Sequence, residues 1–387
     1  MRVLLYEPSR FGGLKVYTEG LAGGLARHGV RVSLLTRYAD LPIPRDYEVI
    51  DQLRDPRRPV GRVLWPFDRL ATAAFNGIKL VLEASSGYDV CHLQKIQPLF
   101  DWLTLRMIRI PLVLTVHDVV PHITRWWERQ SLYHFSYRAV DRIIVHSRHN
   151  AEVLVKVANV DPAKVSVVPH GLDPLPSDAL VSQTDARRQL GLPLDVHIAL
   201  AFGGIRKDKG LDVALQALSL VDNWVLVVAG ESYGHSAYVR LAESLGVEHR
   251  VCWHVGFVPD ELVSLYFAAA DIVALPYKPS FESQSGVLFQ AYRHHKPVVA
   301  TNVGGLGEAV HEDSSGIVVP PDDPQAFAEG MIAALRIAPH IEWSLIEHKY
   351  SWDAVAEATL KVYRRALEDH QARVRSHSHG LSTWRVR

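Results

Sequence analysis

Two rhythms of apolar residues alternate along the first half of this chain. Short, nearly continuous apolar runs at Val3–Tyr6, Val30–Thr36, Val90–Leu93, Leu112–Val116, Arg142–His146 and Val165–Val168 predict strands buried on both faces. Between them apolar positions recur at helical spacing, most clearly over Leu14–His28 and Asn150–Val157. Such alternation predicts a parallel sheet covered by helices on both sides. The stretch Pro169-His170-Gly171-Leu172-Asp173-Pro174-Leu175-Pro176 breaks both rhythms and is expected to link two domains. The alternation then restarts. Strands are predicted at Ile198–Phe202, Trp224–Ala229, Val251–His254, Ile272–Leu275, Val298–Ala300 and Ile317–Val319. Helices are predicted at Leu211–Leu218, Ala237–Leu245, Asp260–Ala268, Val287–Arg293 and Pro324–Leu335. Trp352–Leu367 is amphipathic, and the basic, polar stretch 371–387 is expected to be disordered. The fold class is thus α/β, with two doubly wound, Rossmann-like domains in succession. Their ligand site is expected at the carboxyl ends of both sheets, in the cleft between them. No fixed short period runs through the chain, so it is not a repeat array.

Composition narrows the class. A chain of 387 residues has room for two domains, and 48% hydrophobic residues supply two cores. Charged residues, at 22%, argue against disorder. Cys91 and Cys252 lie far apart without metal-type spacing, which fits a reducing, cytoplasmic setting. The first apolar run, Arg2–Tyr6, is too short for a signal peptide, and no run approaches the ~20 apolar residues of a membrane span. A formal net charge of zero hides an asymmetry: residues 1–175 carry 23 Lys+Arg against 17 Asp+Glu, and the remainder 19 against 25. A cationic first half fits an anionic partner there, a phosphate-bearing acceptor or a membrane surface. Scatter among solvated faces is the plainer alternative.

The segment 278–305, KPSFESQSGVLFQAYRHHKPVVATNVGG, is densest in candidate chemistry. It reads as a turn-rich loop with a lone carboxylate, Glu282, then a helix opened by Ser285-Gly286, then a buried strand. Unpaired N–H groups at such a helix start, beside a glycine, make a seat for phosphate, with Glu282 facing whatever that phosphate carries. An ordinary βαβ crossover with a surface glutamate fits as well. Phe202-Gly203-Gly204-Ile205-Arg206-Lys207-Asp208-Lys209-Gly210 follows the first strand of the second half. There Arg206 offers two parallel donors and Lys209 a mobile charge, a pair suited to a diphosphate. Gly12-Gly13 repeats the strand–turn–helix layout in the first half. It lacks a full G-x-G-x-x-G, and Thr36-Arg37 stands where a ribose-binding acid belongs, so a dinucleotide site is poorly supported. Thr115-Val116-His117-Asp118 ends an apolar strand in polar groups; His117 is a candidate donor to a sugar hydroxyl, or a structural histidine. No H-E-x-x-H, Cys/His cluster or nucleophile elbow appears, which leaves metal hydrolysis and serine chemistry without a candidate.

In this order the segments resemble glycosyltransferase family 4, the retaining nucleotide-sugar enzymes of the GT-B fold. The resemblance rests on Gly12-Gly13, Thr115 to Asp118, Val145-His146-Ser147, Val168-Pro169-His170-Gly171, Gly203 to Gly210, Ala229-Gly230, Gly256-Phe257-Val258, Ala270-Asp271 and Glu282 through Gly305. It implies an acceptor-side domain over 1–172, a nucleotide-sugar-binding domain over 177–350, and a helix at about 352–367 that packs back on the first. It assigns the donor diphosphate to Arg206 and Lys209, helped by backbone at Gly13 and at Ser285, Gly286 and Val287. His117 would contact the transferred sugar and Glu282 would stand near it, while Phe257 and Val258 would hold the base. No metal and no cofactor beyond the donor is implied.

This chain departs from the family in two places. Gln290 replaces the second carboxylate of the E-x7-E pattern, which binds ribose, and Arg206 is shifted from the usual arginine position, now Gly204 or Ile205. The Ser-Gly pair in place of the usual Phe-Gly marks a sub-branch. The expected activity is retaining sugar transfer from a nucleoside diphosphate to a hydroxyl of a glycan, lipid-linked or small-molecule acceptor. The alternatives are a non-catalytic sugar-nucleotide-binding scaffold and a GT-B sugar-nucleotide epimerase. Peripheral contact with a membrane through the basic half is compatible with this; nucleic-acid binding is not, since the basic residues are dispersed and lack interleaved aromatics. The donor base (UDP, GDP or ADP), the sugar and the acceptor stay open, because variable loops read them.

Overall fold

The computed structural model describes residues 1–9, 13–37, 45–54, 65–96, 101–117, 119, 130–173, 175, 181–232, 234–281 and 285–382. The chain divides into two compact units, one of Met1–Gly171 with Tyr350–Arg387, the other of Leu172–Lys349.

The first unit is built on seven parallel strands: β1 (Arg2–Glu7), β2 (Arg31–Thr36), β3 (Glu48–Asp51), β4 (Val90–Leu93), β5 (Leu112–Thr115), β6 (Arg142–Val145) and β7 (Val165–Val167). Their order is β3-β2-β1-β4-β5-β6-β7. Direction reverses at β1, where Val3 pairs with Val32 on one side and Val90 on the other. Successive side chains of a strand face opposite ways, so Leu4 and Tyr6 join one core and Val3 and Leu5 the other. The first core lies under the helices Trp65–Ala84, Asp101–Met107, Gln130–Ala139 and Arg148–Ala158. The second is covered by Gly13–Arg27 and by the long C-terminal helix Trp352–Ser382.

Edge strand β3 is absent from the sequence-based expectation. Its sequence, Glu-Val-Ile-Asp, holds only two apolar residues between charges, enough for a half-covered edge and too few for a periodic signal. The C-terminal helix also differs from expectation. It was expected to close near Leu367, with 371–387 disordered, but it continues to Ser382, and 383–387 lie outside the described residues. No proline or glycine interrupts 353–379, and two ion pairs, Arg142–Asp369 at 2.5 Å and Arg373–Asp141, tie its far end to the start of β6. Its near end is anchored by Trp352. Its indole fills a groove left by Gly20 and Gly171, where an added Cβ would overlap the ring, and its main chain lies against Gly24.

The second unit has six parallel strands: β8 (His197–Phe202), β9 (Trp224–Gly230), β10 (Val251–Val255), β11 (Ile272–Leu275), β12 (Val298–Thr301) and β13 (Gly316–Val319), in the order β10-β9-β8-β11-β12-β13. Helices Leu211–Leu218 and Pro324–Ile337 bury Leu215, Leu218, Phe327 and Met331 against the sheet. Asp271 is a structural acid: it pairs with the buried Arg187 at 2.7 Å and accepts from Ile198 N at 2.7 Å, fixing the amino ends of β8 and β11. The switch point lies between β8 and β11. Loops leaving those two strands part there, and a doubly wound sheet holds its ligand in that crevice. The two loops are Gly203–Gly210 and the one that begins with 276–281.

Candidate active site

At this switch point the backbone is packed too closely for side chains. Gly230 has φ +146° with its Cα facing Gly203 O, and Gly210 has φ +63° beside Pro276 O; a Cβ at either would collide with that carbonyl. The compression brings the two loops together. Gly203 faces the Val287 side chain, which starts the helix Gly286–Arg293.

Arg206 and Lys209 leave this loop in different states. Arg206 is exposed, and its Nε and Nη2 grip Asp208 at 3.0 and 2.8 Å. Burial pushes the Asp208 carboxyl up, but the hydrogen bonds and charge of Arg206 outweigh it and leave Asp208 below its usual range. An anion at Arg206 therefore shares the guanidinium with an internal carboxylate. Lys209 is partly buried, its Nζ 3.7 Å from the Tyr277 ring centre and 4.3 Å from that of Phe281. Burial first, then the charge of Arg206, pulls its ammonium down to about 7. A phosphate oxygen here would restore the charge that burial opposes.

Tyr277 joins this cation to the helix start. Its hydroxyl lies 2.9 Å from Ser285 Oγ, and Ser285 caps the helix by accepting from Leu288 N at 3.4 Å. The Ser285 hydroxyl is thus spent on structure. Gly286 is exposed with open space at its Cα, and the N–H groups of Gly286 and Val287 begin the helix, whose first N–H groups have no partner within it. One turn on, the side-chain oxygen of Gln290 is buried without a hydrogen-bond partner among the described residues. A buried acceptor left so costs about 1–3 kcal/mol, a cost a ligand donor would remove. Phe257 and Val258 follow β10 on the same carboxyl edge, Phe257 with 74% of its surface exposed. Glu282 lies outside the described residues.

The carboxyl edge of the first unit is of another kind. Gly13 opens its helix with free space around it, and Gly12 lies outside the described residues. His117 follows β5 with both ring nitrogens engaged, Nε2 with Gln94 Oε1 at 3.1 Å and Nδ1 with His146 Nε2 at 3.1 Å. His146 Nδ1 donates to Val168 O at 3.0 Å. Gln94 Nε2 lies 3.3 Å from His92 Nε2, and His92 Nδ1 lies 2.7 Å from the Tyr363 hydroxyl. The Tyr17 ring packs on His117, His146, His170 and Trp352 at 4.8 to 5.3 Å between centres. Burial, reinforced by neighbouring histidines, holds His117 well below the ordinary range and takes His92 and His146 down to about 3. As placed, the His117 ring is spoken for inside the unit. The expectation that it donates to a sugar hydroxyl needs this network to open.

Sequence reasoning missed several groups here. Tyr277 and Phe281 form the cage around Lys209, and only their closeness to Glu282 pointed to them. His92, Gln94 and Tyr363 lie up to 271 positions apart and carry no local signal. Glu7, at the carboxyl end of β1, is buried, with Oε1 accepting from Ser9 N at 2.5 Å and Oε2 without a partner among the described residues. Burial raises its carboxyl above the usual range, against the lowering pull of Ser9, Lys95 and Arg37.

Comparison with known proteins agrees with this architecture. The family described as Glycosyltransferase Family 4 matches residues 11–174, and that described as Glycosyl transferases group 1 matches residues 182–342. D-inositol 3-phosphate glycosyltransferase of Xylanimonas cellulosilytica is 33% identical over 94% of this chain and 94% of its own. Among solved structures, sucrose-phosphate synthase of Thermosynechococcus elongatus superposes with a TM-score of 0.69 at 21% identity, covering 95% of this chain and 99% of that one. Anabaena HepE in complex with UDP-glucose superposes with a TM-score of 0.63 at 20% identity, covering 96% and 100%. The chain therefore belongs to the family 4 glycosyltransferases and has their GT-B fold.

Proposed function

We propose that this glycosyltransferase is a retaining enzyme that moves a sugar from a nucleoside diphosphate to a hydroxyl of a glycan, lipid-linked or small-molecule acceptor. The observation that carries the reading is the convergence at the second unit's switch point of caged Lys209, Arg206 and the open helix start at Gly286 and Val287. A departing diphosphate gains charge as its bond to the sugar breaks, so fixed cations and N–H groups favour the transition state over the ground state. The acceptor hydroxyl attacks the oxocarbenium-like centre from the face the diphosphate leaves, and a phosphate oxygen takes its proton. Glu282 is assigned to the donor sugar, Gln290 to ribose, and Phe257 and Val258 to the base. Support for the donor class comes from the HepE complex with UDP-glucose, and for a phosphorylated polyol acceptor from the relative's name.

The reading includes catalysis without a divalent metal. Among the described residues no three His, Cys, Asp or Glu side chains gather as metal ligands, and Arg206 and Lys209 are available to balance the diphosphate. The test is turnover of UDP-, GDP- and ADP-sugars against an acceptor panel, after chelation and desalting, with the product anomer read by NMR. Retained configuration is expected. An inverted product, or activity restored only by Mn²⁺ or Mg²⁺, would overturn the corresponding part. Acceptor-independent donor epimerisation would favour the epimerase, and donor binding without turnover the scaffold.

A cytoplasmic location with peripheral membrane contact belongs to the same proposal. Leu70, Ile78 and Leu82 form an exposed apolar stripe at intervals of four or eight along Trp65–Ala84. Leu103 and Met107 continue it on the neighbouring helix, which meets the first at Gly77 and Thr104. Exposed Arg69, Arg106 and Arg109 accompany them, a composition suited to an anionic bilayer surface. Cosedimentation with anionic vesicles should be lost in Ile78→Glu/Leu82→Glu; equal binding by that variant would refute the contact.

A further inference from the structure

The buried chain Tyr363–His92–Gln94–His117–His146–Val168 has a direction that follows from its fixed end. Val168 O is a carbonyl and only accepts, so His146 Nδ1 carries the hydrogen between them. A neutral His146 then presents the lone pair of Nε2, and His117 Nδ1 must be the donor to it. A neutral His117 is left with a lone pair on Nε2, facing the Gln94 amide 3.1 Å away. Only the NH₂ of that amide can answer it. The Gln94 oxygen then faces His92 Nε2, so that nitrogen carries the hydrogen, shared with Thr115 Oγ1 2.7 Å away, and His92 Nδ1 accepts from the Tyr363 hydroxyl.

Every link closes without charge once the Gln94 amide is turned so that its nitrogen meets His117. The opposite orientation, with Oε1 on His117, closes only if His117 or His146 carries hydrogen on both nitrogens. The two orientations have nearly the same shape, so charge decides between them. A cation here would be costly. His92, Gln94 and Thr115 are at most 2% exposed, and among the described residues the groups facing His117 are Tyr17, Gln94 and His146, with His92 and His170 close behind. Among the described residues no carboxylate pairs with His92, His117 or His146. Burial of an unpaired charge disfavours that form.

We propose that Tyr363, His92 and Gln94 are positioning residues that hold His117 as the neutral Nδ1–H tautomer, with the Gln94 amide turned to donate to Nε2. The chain crosses the carboxyl ends of β4, β5, β6 and β7 and starts on the C-terminal helix. That helix thereby sets the floor of the first unit's carboxyl edge, beneath the place where β5 delivers His117. The kinetic consequences rest on the glycosyl-transfer reading; the tautomers do not.

The test is ¹⁵N NMR of the full-length protein labelled at histidine, with signals assigned by replacing one histidine at a time. At neutral pH, His117 and His146 should report Nδ1–H and His92 Nε2–H. Tyr363→Phe should leave the His92 Nδ1 lone pair unanswered and shift its ¹⁵N signal. It should lower kcat roughly two- to tenfold, the fold-change matching one hydrogen bond's net worth, with donor KM unchanged. Gln94→Glu, which supplies only acceptors, should draw a proton onto His117 Nε2 at a pH where the wild-type ring is neutral. An Nε2–H tautomer at wild-type His117, or unchanged ring signals and kinetics in Tyr363→Phe, overturns the proposal. Correct tautomers in a chain without transferase activity support it and defeat the functional reading alone.

Discussion

The two carboxyl edges bury polar groups to opposite ends. In the first unit, His92 and His146 are buried and His117 half-buried, both ring nitrogens of each are answered by protein atoms, and all three are held neutral. In the second, Lys209 is pressed against two aromatic rings with its charge weakened, Gln290 Oε1 has no partner among the described residues, and the start of the helix at Gly286 has open space at its Cα. Polar groups that satisfy one another stiffen a surface and offer a ligand little. Polar groups buried short of partners hold free energy that a matching ligand releases. The first edge is accordingly a floor, and the second is where donor affinity should reside.

The comparison breaks first at Trp352. If the first edge is a packed floor, Trp352→Ala should empty the groove between Gly20 and Gly171, behind Tyr17, and destabilise the protein by about 3–5 kcal/mol in denaturant unfolding. Wild-type stability in that variant would mean the C-terminal helix merely lies on the surface. At the second edge the effects should appear in binding. Arg206→Ala and Lys209→Ala should each weaken nucleoside diphosphate binding by about 1.5–3 kcal/mol in calorimetry. Normal affinity in both would place the diphosphate elsewhere.

A sharper probe is pH. Free Lys209 titrates near 7, lowered from its ordinary value by burial, and a bound diphosphate favours the ammonium and raises that value. Above pH 7 binding must therefore take up a proton, so affinity for a nucleotide sugar should fall as pH rises, by at most about tenfold per unit. Below pH 7 it should be flat. Lys209→Arg, charged throughout, should abolish the slope between pH 7 and 8.5. A slope that persists in Lys209→Arg comes from another group.

The alternation of buried runs and helical segments was enough to locate twelve of the thirteen strands among the described residues, because a fully covered parallel strand must be apolar along its length. The same signal fails for β3, half-covered at an edge, and for Gly304–Glu312, whose Gly-Gly-Leu-Gly opening reads as loop. There the missing side chains serve close packing: a Cβ at Gly307 would press on Asn302. At the site, Arg206, Lys209 and the helix start were legible because they follow strands within a few residues. Their states were not. That Arg206 grips Asp208, that Lys209 sits over Tyr277 and Phe281, and that Ser285 caps rather than waits depend on side-chain geometry. The histidine chain was invisible for another reason. Its members come from β4, β5, β6 and a helix near the far end of the chain, and only the folded sheet makes them neighbours.

The smallest expected effect tests the second edge most directly. Gln290 stands where a carboxylate was expected, and its buried oxygen lacks a donor among the described residues. An amide offers ribose one acceptor and one donor group, where a carboxylate would accept from both hydroxyls. Gln290→Glu should therefore change donor affinity by no more than about 1.5 kcal/mol, the net scale of a hydrogen bond. Gln290→Met should raise donor KM with kcat nearly unchanged, since ribose contacts are alike in ground and transition states. It should also leave the unliganded protein as stable or more so, because it removes an unanswered acceptor and keeps the packing volume. That pairing of weaker donor binding with undiminished stability is the mark of a group held for a ligand. A Gln290→Met protein that loses stability and keeps its donor KM would show that the amide serves the fold, and the contrast between the two edges would fail at this residue.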